Sequence, residues 1–204
     1  MSVHKTGDLG FDRIDKELKY LNSHQVVIGF FGDRDSKLLT IVRANEYGAH
    51  IVPKKGQYLW VPSENNKDGE HPEGLFIPKG KRVACKREED GSLTVYFYLL
   101  KEVDIPSRPF IRKAFEKNRK KYISIVKEGI EDIIYEKGTG KQVLEQLGIA
   151  AQADIRKSAV DWRVPGNAPL TVALKNKHSN DPLVDTGELQ RKVTWKIMKS
   201  GDDD

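Results

Sequence analysis

The sequence "SRPFIRKAFEKNRKKYISIVKEGIEDIIYEK", residues 107–137, has apolar residues at the three- and four-residue spacing of an α-helix. Ser107 indicates an N-cap region, and Pro109 fits the first turn, where a backbone N–H is not needed. The predicted apolar stripe comprises Ile111, Phe115, Tyr122, Val126, Ile130 and Ile133. The segment therefore predicts one long helix with a single buried face.

A second long helix is predicted after the connection "GTG", residues 138–140. Pro165 lies beyond its end, in the loop sequence "PGNAP". Its apolar face comprises Leu144, Leu147, Ala151, Ile155, Ala159 and Trp162. Because a short glycine-containing loop joins the two helices, we expect them to pack as an antiparallel pair.

Shorter elements flank this pair. "QVVIGFFG" (25–32) is apolar on both faces and predicts a buried strand, whereas "SKLLTIVRANEYGA" (36–49) predicts a helix that Gly48 ends. A helix is also predicted for "FDRIDKELKYLN" (11–22), a short helix near 187–193, and a strand at "VTWKI" (193–197).

Residues 50–105 differ from the rest of the chain in their sequence pattern, which has short apolar runs and turn residues. "YLWVP" (58–62) and "LFIP" (75–78) are short apolar runs closed by proline, and Asp90-Gly91 predicts a hairpin turn. We therefore predict an α+β fold, in which a small, mostly antiparallel sheet packs against two long helices. Residues 1–49 and 106–204 would form the core domain, and residues 50–105 a β-rich insertion or subdomain whose strands join the sheet.

The composition is that of a folded chain. It has 204 residues, of which 38% are hydrophobic and 32% are charged, and its net charge is +5. The apolar runs are too short to span a bilayer, the first ten residues do not form a secretion signal, and the single Cys85 fits a cytosolic origin. These features predict no membrane association.

The triplet Asp185-Thr186-Gly187 matches the triplet that carries the catalytic carboxylate of aspartic proteases. Such an enzyme needs two carboxylates that share a proton, and only 17 residues follow Gly187. The same letters fit a helix start, with Asp185 as N-cap and Glu188 reaching back. We predict the cap, with Leu183 or Val184 packing behind it.

No other motif predicts catalysis or cofactor binding. "EKGTGKQ" (136–142) lacks the first glycine and the Ser or Thr of a phosphate-binding loop. The five histidines and Cys85 do not show the spacing of metal ligands. We therefore predict no catalytic residue, no cofactor and no metal site.

Residues 108–127 carry eight basic residues against one acidic residue, Glu116. The positive charge fits a solvated helix face, a contact with an acidic protein, or a contact with nucleic acid phosphates. No aromatic residue is predicted among the charges on the outer face. The candidate contacts with DNA or an acidic partner are Arg112, Lys113, Lys117, Arg119, Lys120 and Lys121.

Three segments, in this order, resemble the tail-completion proteins of long-tailed bacteriophages, also called head–tail joining, neck or minor tail proteins. They are "ANEYGA" (44–49), "IPSRPFIRKAFEKNRKKY" (105–122) and "NAPLTVALKNKHSNDPLVDTGELQRKVTWKI" (167–197). In much of that family the first segment runs almost directly into the second, so residues 50–105 are a departure. "KNKHSND" (175–181) is also more polar than the family's usual link.

The resemblance implies a non-enzymatic virion protein that assembles in the host cytoplasm and completes the phage neck or tail as a homo-oligomeric ring. Its implied partners are the tail tube or terminator and the head-closure or connector proteins, with genome DNA in the channel. The alternative is a nucleic-acid-binding protein that uses the basic helix 108–127. Candidate corners for assembly, or for the fold itself, are Arg108, Pro109, Phe110, Asn167, Pro169, Leu183, Asp185, Thr186 and Gly187.

Overall fold

The computed structural model describes residues 9–32, 37–175 and 180–202. The chain has the predicted α+β fold, with helices and small antiparallel sheets. In chain order the elements are α1 (Leu9–Ser23), β1 (His24–Gly29), α2 (Lys37–Tyr47), β2 (Ala49–Ile51), β3 (Leu59–Pro62), β4 (Val83–Arg87), β5 (Leu93–Leu100), β6 (Val103–Ile105), α3 (Phe110–Ile134), α4 (Gly140–Asp161), α5 (Pro169–Leu174), α6 (Glu188–Lys192) and β7 (Thr194–Lys199).

The chain divides into two compact units. The helical unit contains the described residues up to 39, residues 110–161, and those from 186 onward. The β-rich unit contains residues 40–109 and 162–185. The loop after α4, together with α5, therefore belongs with the β-rich segment rather than with the long helices that precede it.

In the helical unit, α3 and α4 form the predicted antiparallel pair. The hydroxyl of Ser158, near the end of α4, donates to the carbonyl of Phe110 at the start of α3 over 2.8 Å. Nearer the connection, Val143 packs directly over Gly129, where a side chain would overlap it. The start of one helix therefore meets the end of the other.

The buried face of α3 is rotated from the predicted stripe. Phe115 was expected in the core, but its residue surface is 59% exposed. The prediction was wrong because two small residues, Ala114 and Gly129, lie on the face against which α4 packs, and helix spacing depends on side-chain size. The buried residues of α3 are Phe110, Ala114, Tyr122, Gly129 and Ile133.

The sheet of the helical unit consists of β1 and β7, which pair antiparallel with Ile28 opposite Trp195. Trp195 packs against α4 at Gly148, where an added Cβ would overlap the indole ring. Glu17 of α1 accepts a 2.8 Å hydrogen bond from the backbone N–H of Gly140, the first residue of α4. Its carboxylate also complements the positive end of the α4 dipole.

The β-rich unit has a three-stranded sheet in the order β3-β5-β4 and a separate β2–β6 pair. The predicted hairpin turn is confirmed, since Gly91 has φ +85° and Asp90 accepts from the N–H of Ser92 at 2.9 Å. The predicted addition of these strands to the β1–β7 sheet is wrong. Strands β3 and β4 pair on either side of β5, and the three form a sheet of their own.

No helix in the described ranges has both the length and the apolar character needed to cross a membrane.

Candidate functional site

Arg108 is the centre of a hydrogen-bonded cluster within the β-rich unit. Only 6% of the residue is exposed. Its Nη1 donates to Asn45 Oδ1 at 2.9 Å, its Nε to the carbonyl of Pro165 at 3.0 Å, and its Nη2 to that of Gly166 at 2.7 Å. We call these four residues the Arg108 cluster. It ties the end of α2 and the loop after α4 to the segment before α3.

A buried guanidinium is tolerated here because its donors meet well-placed oxygen acceptors. Burial lowers the pKa of Arg108, but an arginine side chain remains protonated in a protein. A planar guanidinium donates along several fixed directions at once, which an ammonium group does not. The cluster therefore depends on arginine in particular.

Lys175 holds the neighbouring loop in a similar way. Its Nζ donates to the carbonyls of Asp181 and Val184, both at 2.6 Å. Burial lowers the pKa of Lys175, whereas the carboxylates of Asp185 and Asp181 favour its charged form and Arg108 opposes it. The loop "DPLVD" is thus fastened by its backbone, while Leu183 within it is buried.

The remaining predicted corner residues lie in or beside these loops. Asn167 is half-buried, and its N–H donates to Asn180 Oδ1 at 2.9 Å. Pro169 is exposed in the first turn of α5, and Pro109 precedes α3 rather than lying in its first turn. Phe110 belongs to the helical unit, where it is fully buried beside Phe30.

Ser107 does not cap α3, contrary to the prediction. Its hydroxyl instead donates to the carbonyl of Glu46 at 2.9 Å. Because Ser107 is two residues before Pro109, it precedes the cap position of a helix that begins at Phe110. The hydroxyl fastens the segment before α3 to the end of α2.

The predicted N-cap at Asp185 is also wrong. The cap residue of α6 is Gly187, which has φ +76° and no capping side chain. Helix α6 begins later than Asp185 requires, because the glycine makes its turn in the left-handed region. Asp185 and Thr186 are exposed, and the hydroxyl of Thr186 accepts a 3.4 Å hydrogen bond from Glu188 N–H.

The basic residues of α3 divide into two groups. All six candidate contacts are exposed, but Lys113 forms an ion pair with Glu116 at 3.2 Å and Lys121 with Asp154 at 2.9 Å. Arg108, which the sequence counted with this patch, is buried in the other unit. Lys117, Arg119 and Lys120 form no ion pair among the described residues.

Asp154 on α4 contacts two side chains of α3, Lys121 and Tyr122. It accepts from Lys121, and burial together with its hydrogen bond raises the pKa of Tyr122. No sequence pattern predicts this contact, since Asp154 occupies an ordinary polar position of its helix. Lys121 therefore links α3 to α4, whereas Lys117 and Lys120 form no ion pair among the described residues.

Apolar side chains interrupt the basic surface, contrary to the prediction. Phe115 and Ile123 are 59% and 46% exposed, and Arg119 lies between them at helical spacing. The prediction placed Phe115 in the core because it did not allow for the rotation of the buried face of α3. The surface of α3 is therefore mixed, with cations beside exposed apolar groups.

Sequence reasoning also missed Asn45 and Lys175. Asn45 is part of the quoted segment "ANEYGA", but it lies 63 residues from Arg108 in the sequence. No local pattern identifies a polar residue as the hydrogen-bond partner of a residue so far away. Lys175 looked like one more charge in a polar link. Only the tertiary arrangement identifies either residue.

His50 and Asp104 face each other across the β2–β6 pair. His50 Nδ1 lies 2.6 Å from Asp104 Oδ1, and Glu102 is 3.8 Å from Nε2. The hydrogen bond and the charge of Asp104 raise the pKa of His50 above its ordinary value of 6.5. The pair's contribution to stability is therefore complete below the unfolded-state pKa and is lost as pH rises through the folded-state pKa.

We expect Asp104→Asn to lower the pKa of His50 towards its ordinary value, because it removes the largest favourable interaction of the imidazolium. Titration of the His50 ring protons by NMR measures this change. The more distant Glu102→Gln is the matched control and should cause a smaller decrease. A His50 pKa at or below the ordinary value in the unmodified chain would contradict the assignment.

Within the part of the chain that the structure describes, no group of three or more His, Cys, Asp or Glu side chains is arranged to hold a metal ion. His4 and His178 lie outside that part.

Comparison with known proteins gave no significant match to a protein-family model, a curated protein or a solved structure.

Proposed function

We propose that this chain is a structural, non-enzymatic component of the neck or tail of a long-tailed bacteriophage. It would complete the tail and join it to the head through ring-forming contacts between copies and with neighbouring tail and connector proteins. The proposal starts from the resemblance of three sequence segments to tail-completion proteins.

The convergence of those segments on one cluster supports the proposal. "ANEYGA" contributes Asn45, "IPSRPF" contributes Arg108, and the loop that leads into "NAP" contributes the carbonyl of Gly166. The segments are far apart in sequence, yet they depend on one another for hydrogen bonds. A similar set of segments in another protein would therefore be expected to build a similar corner.

The corner fits an assembly protein because it fixes the backbone of exposed loops. Arg108 and Lys175 hold main-chain carbonyls, and Asp185 and Thr186 at the end of the second loop remain exposed. Rigid exposed loops lose little conformational freedom when a partner binds, which favours repeated, geometrically defined contacts. Such contacts are what a ring needs.

Electron microscopy of lysates from the phage with this gene disabled tests the role directly. Separate full heads and finished-looking tails would support a role at the joining step. Tails of abnormal length would support a role in tail termination instead. Normal infectious particles would contradict the proposed function.

The alternative is nucleic-acid binding by α3, which the exposed cations Lys117, Arg119 and Lys120 favour. If these residues contact phosphates, Lys117→Glu with Lys120→Glu should weaken DNA binding and reduce the slope of log K against log salt by about 2. Filter binding across a salt series measures both. Lys121 is left unchanged because its ion pair with Asp154 supports the fold.

Reversal of the exposed Lys54 and Lys55, in the other unit, is the matched control for this pair. The control should leave DNA affinity and its salt slope nearly unchanged. Equal effects of the two reversals would show general electrostatic attraction rather than a site on α3. Affinity no tighter than ordinary non-specific binding would remove the alternative.

A further inference from the structure

One face of α3 combines apolar and basic groups, and its residues Phe115, Arg119 and Ile123 are exposed in the described helical unit. Its residues recur every three or four positions, so they form a continuous stripe along the helix. We call this surface the α3 stripe. It comprises Phe115, Arg119, Ile123, Val126 and Ile130, with Lys120 at its border, three positions before Ile123.

The stripe continues into a groove between α1 and α3. The groove has a volume of about 590 Å³, and its apolar wall is formed by Leu18, Leu21, Val126, Ile130 and Leu144. Asp15, Lys19 and Asn22 complete its lining. Isolated exposed apolar residues are common, but an apolar groove that extends along a helix is typical of a binding surface.

The chemistry of the stripe favours a protein occupant over a nucleic acid backbone. Phosphates need only the cations, whereas Phe115 and Ile123 gain nothing from contact with a polyanion. A suitable occupant would place apolar groups on the stripe and carboxylates opposite Arg119 and Lys120.

The β-rich unit of the same chain presents such a surface. The loop "SENNKDGEHPEG", residues 63–74, carries four carboxylates against one lysine, and we call it the acidic loop. Trp60, next to the loop, is 42% exposed, and its ring lies 5.5 Å from that of His71. The exposed carboxylates are Glu64, Asp68, Glu70 and Glu73.

The acidic loop is held in one conformation by buried polar side chains. Ser63 is fully buried and donates to the carbonyl of Val95 at 2.7 Å. Asn66 is also buried, and its side chain both donates to the carbonyl and accepts from the N–H of Glu70. The carboxylates are therefore presented from a fixed backbone, which lowers the entropic cost of docking.

We propose that the acidic loop and Trp60 of one copy dock on the α3 stripe of a second copy. Because a loop meets a helix, the contact is heterologous, which is the kind that closes into a ring or continues as a filament. The inference rests on the proposed assembly function for its biological role, and it adds the two faces that meet.

Sedimentation equilibrium of the full-length chain at low ionic strength tests the contact with charge reversals. The helix variant is Arg119→Glu with Lys120→Glu, and the loop variant is Asp68→Lys with Glu73→Lys. Each is expected to raise the dissociation constant of self-association at least about tenfold, because like charges then face each other. Phe115→Ser should have a similar effect without changing charge.

Mixing the two reversed variants is the sharpest part of the test. In an equal mixture, the basic loop of the loop variant can bind the acidic helix of the helix variant. The unmodified acidic loop of the helix variant can likewise bind the unmodified helix of the loop variant. Self-association should return to the unmodified level in the mixture, although neither variant assembles alone. Lys54→Glu with Lys55→Glu is the control and should assemble normally.

Three results would overturn the inference: an unmodified chain that stays monomeric at its highest soluble concentration, reversed variants that assemble normally, or a mixture that does not recover. Circular dichroism of each variant verifies that it is folded. The phage lysate experiment is separate from these measurements. A phage that needs the gene, but whose protein is insensitive to these reversals, would retain the proposed function and lose only this contact.

Discussion

Arg108→Ala is expected to destabilise the β-rich unit by about 1.5–3 kcal/mol or more, the contribution of a hydrogen bond that involves a charged group. The substitution leaves the half-buried Asn45, Pro165 and Gly166 without their donor, and an acceptor left unsatisfied costs about 1–3 kcal/mol where water does not reach it. Arg108→Lys should recover only part of the loss, because an ammonium group lacks the planar fork. Chemical denaturation measures the change.

Hydrogen exchange followed by peptide mass spectrometry locates the effect. Peptides from residues 40–109 and 162–185 should exchange faster in Arg108→Ala, since both ranges belong to the β-rich unit. The exposed Arg82 in the same unit is a matched control, and Arg82→Ala should change stability by less than about 0.5 kcal/mol. Equal effects of the two substitutions would contradict the importance of the cluster.

Gly148→Ala is expected to destabilise the helical unit by about 1–3 kcal/mol, the usual range for overpacking a core. Helix propensity alone predicts the opposite sign, because alanine is favoured over glycine by about 1 kcal/mol within a helix. The new methyl group, however, would overlap the ring of Trp195 on β7. Thermal or denaturant unfolding gives the sign directly.

Two further substitutions separate packing from propensity at this position. Ala153→Gly, at an exposed position of α4, should cost about 1 kcal/mol through propensity alone. Trp195→Leu removes much of the overlapping ring, so Gly148→Ala should cost less in that background. A stabilising Gly148→Ala in the unmodified chain would show that the indole moves aside freely.

The helices and the hairpin could be predicted because their signals are local. Periodic apolar residues located α3 and α4, and Asp90-Gly91 located the turn between β4 and β5. The pairing of the first and last strands, β1 with β7, was not predicted, because it joins residues that are far apart in the chain. Local patterns therefore located the elements but not this pairing.

The errors arose where a neighbour's size or a backbone angle overrode the local pattern. Phe115 fits the apolar repeat of α3, but small residues turned another face towards α4. Asp185 fits a capping box, but Gly187 makes the turn without it. Arg108 looked like one cation in a basic run, because burial and the acceptors Pro165 and Gly166 are not visible in the sequence.

Arg108 and Lys175 both hold loops by their backbone carbonyls, and this has an evolutionary consequence. Arg108 binds the carbonyls of Pro165 and Gly166, and Lys175 binds those of Asp181 and Val184. Every residue type supplies a carbonyl, so these contacts place little demand on the identity of the loop side chains. Exposed loop positions are then free to change without loss of these contacts, provided that the arginine and the lysine remain.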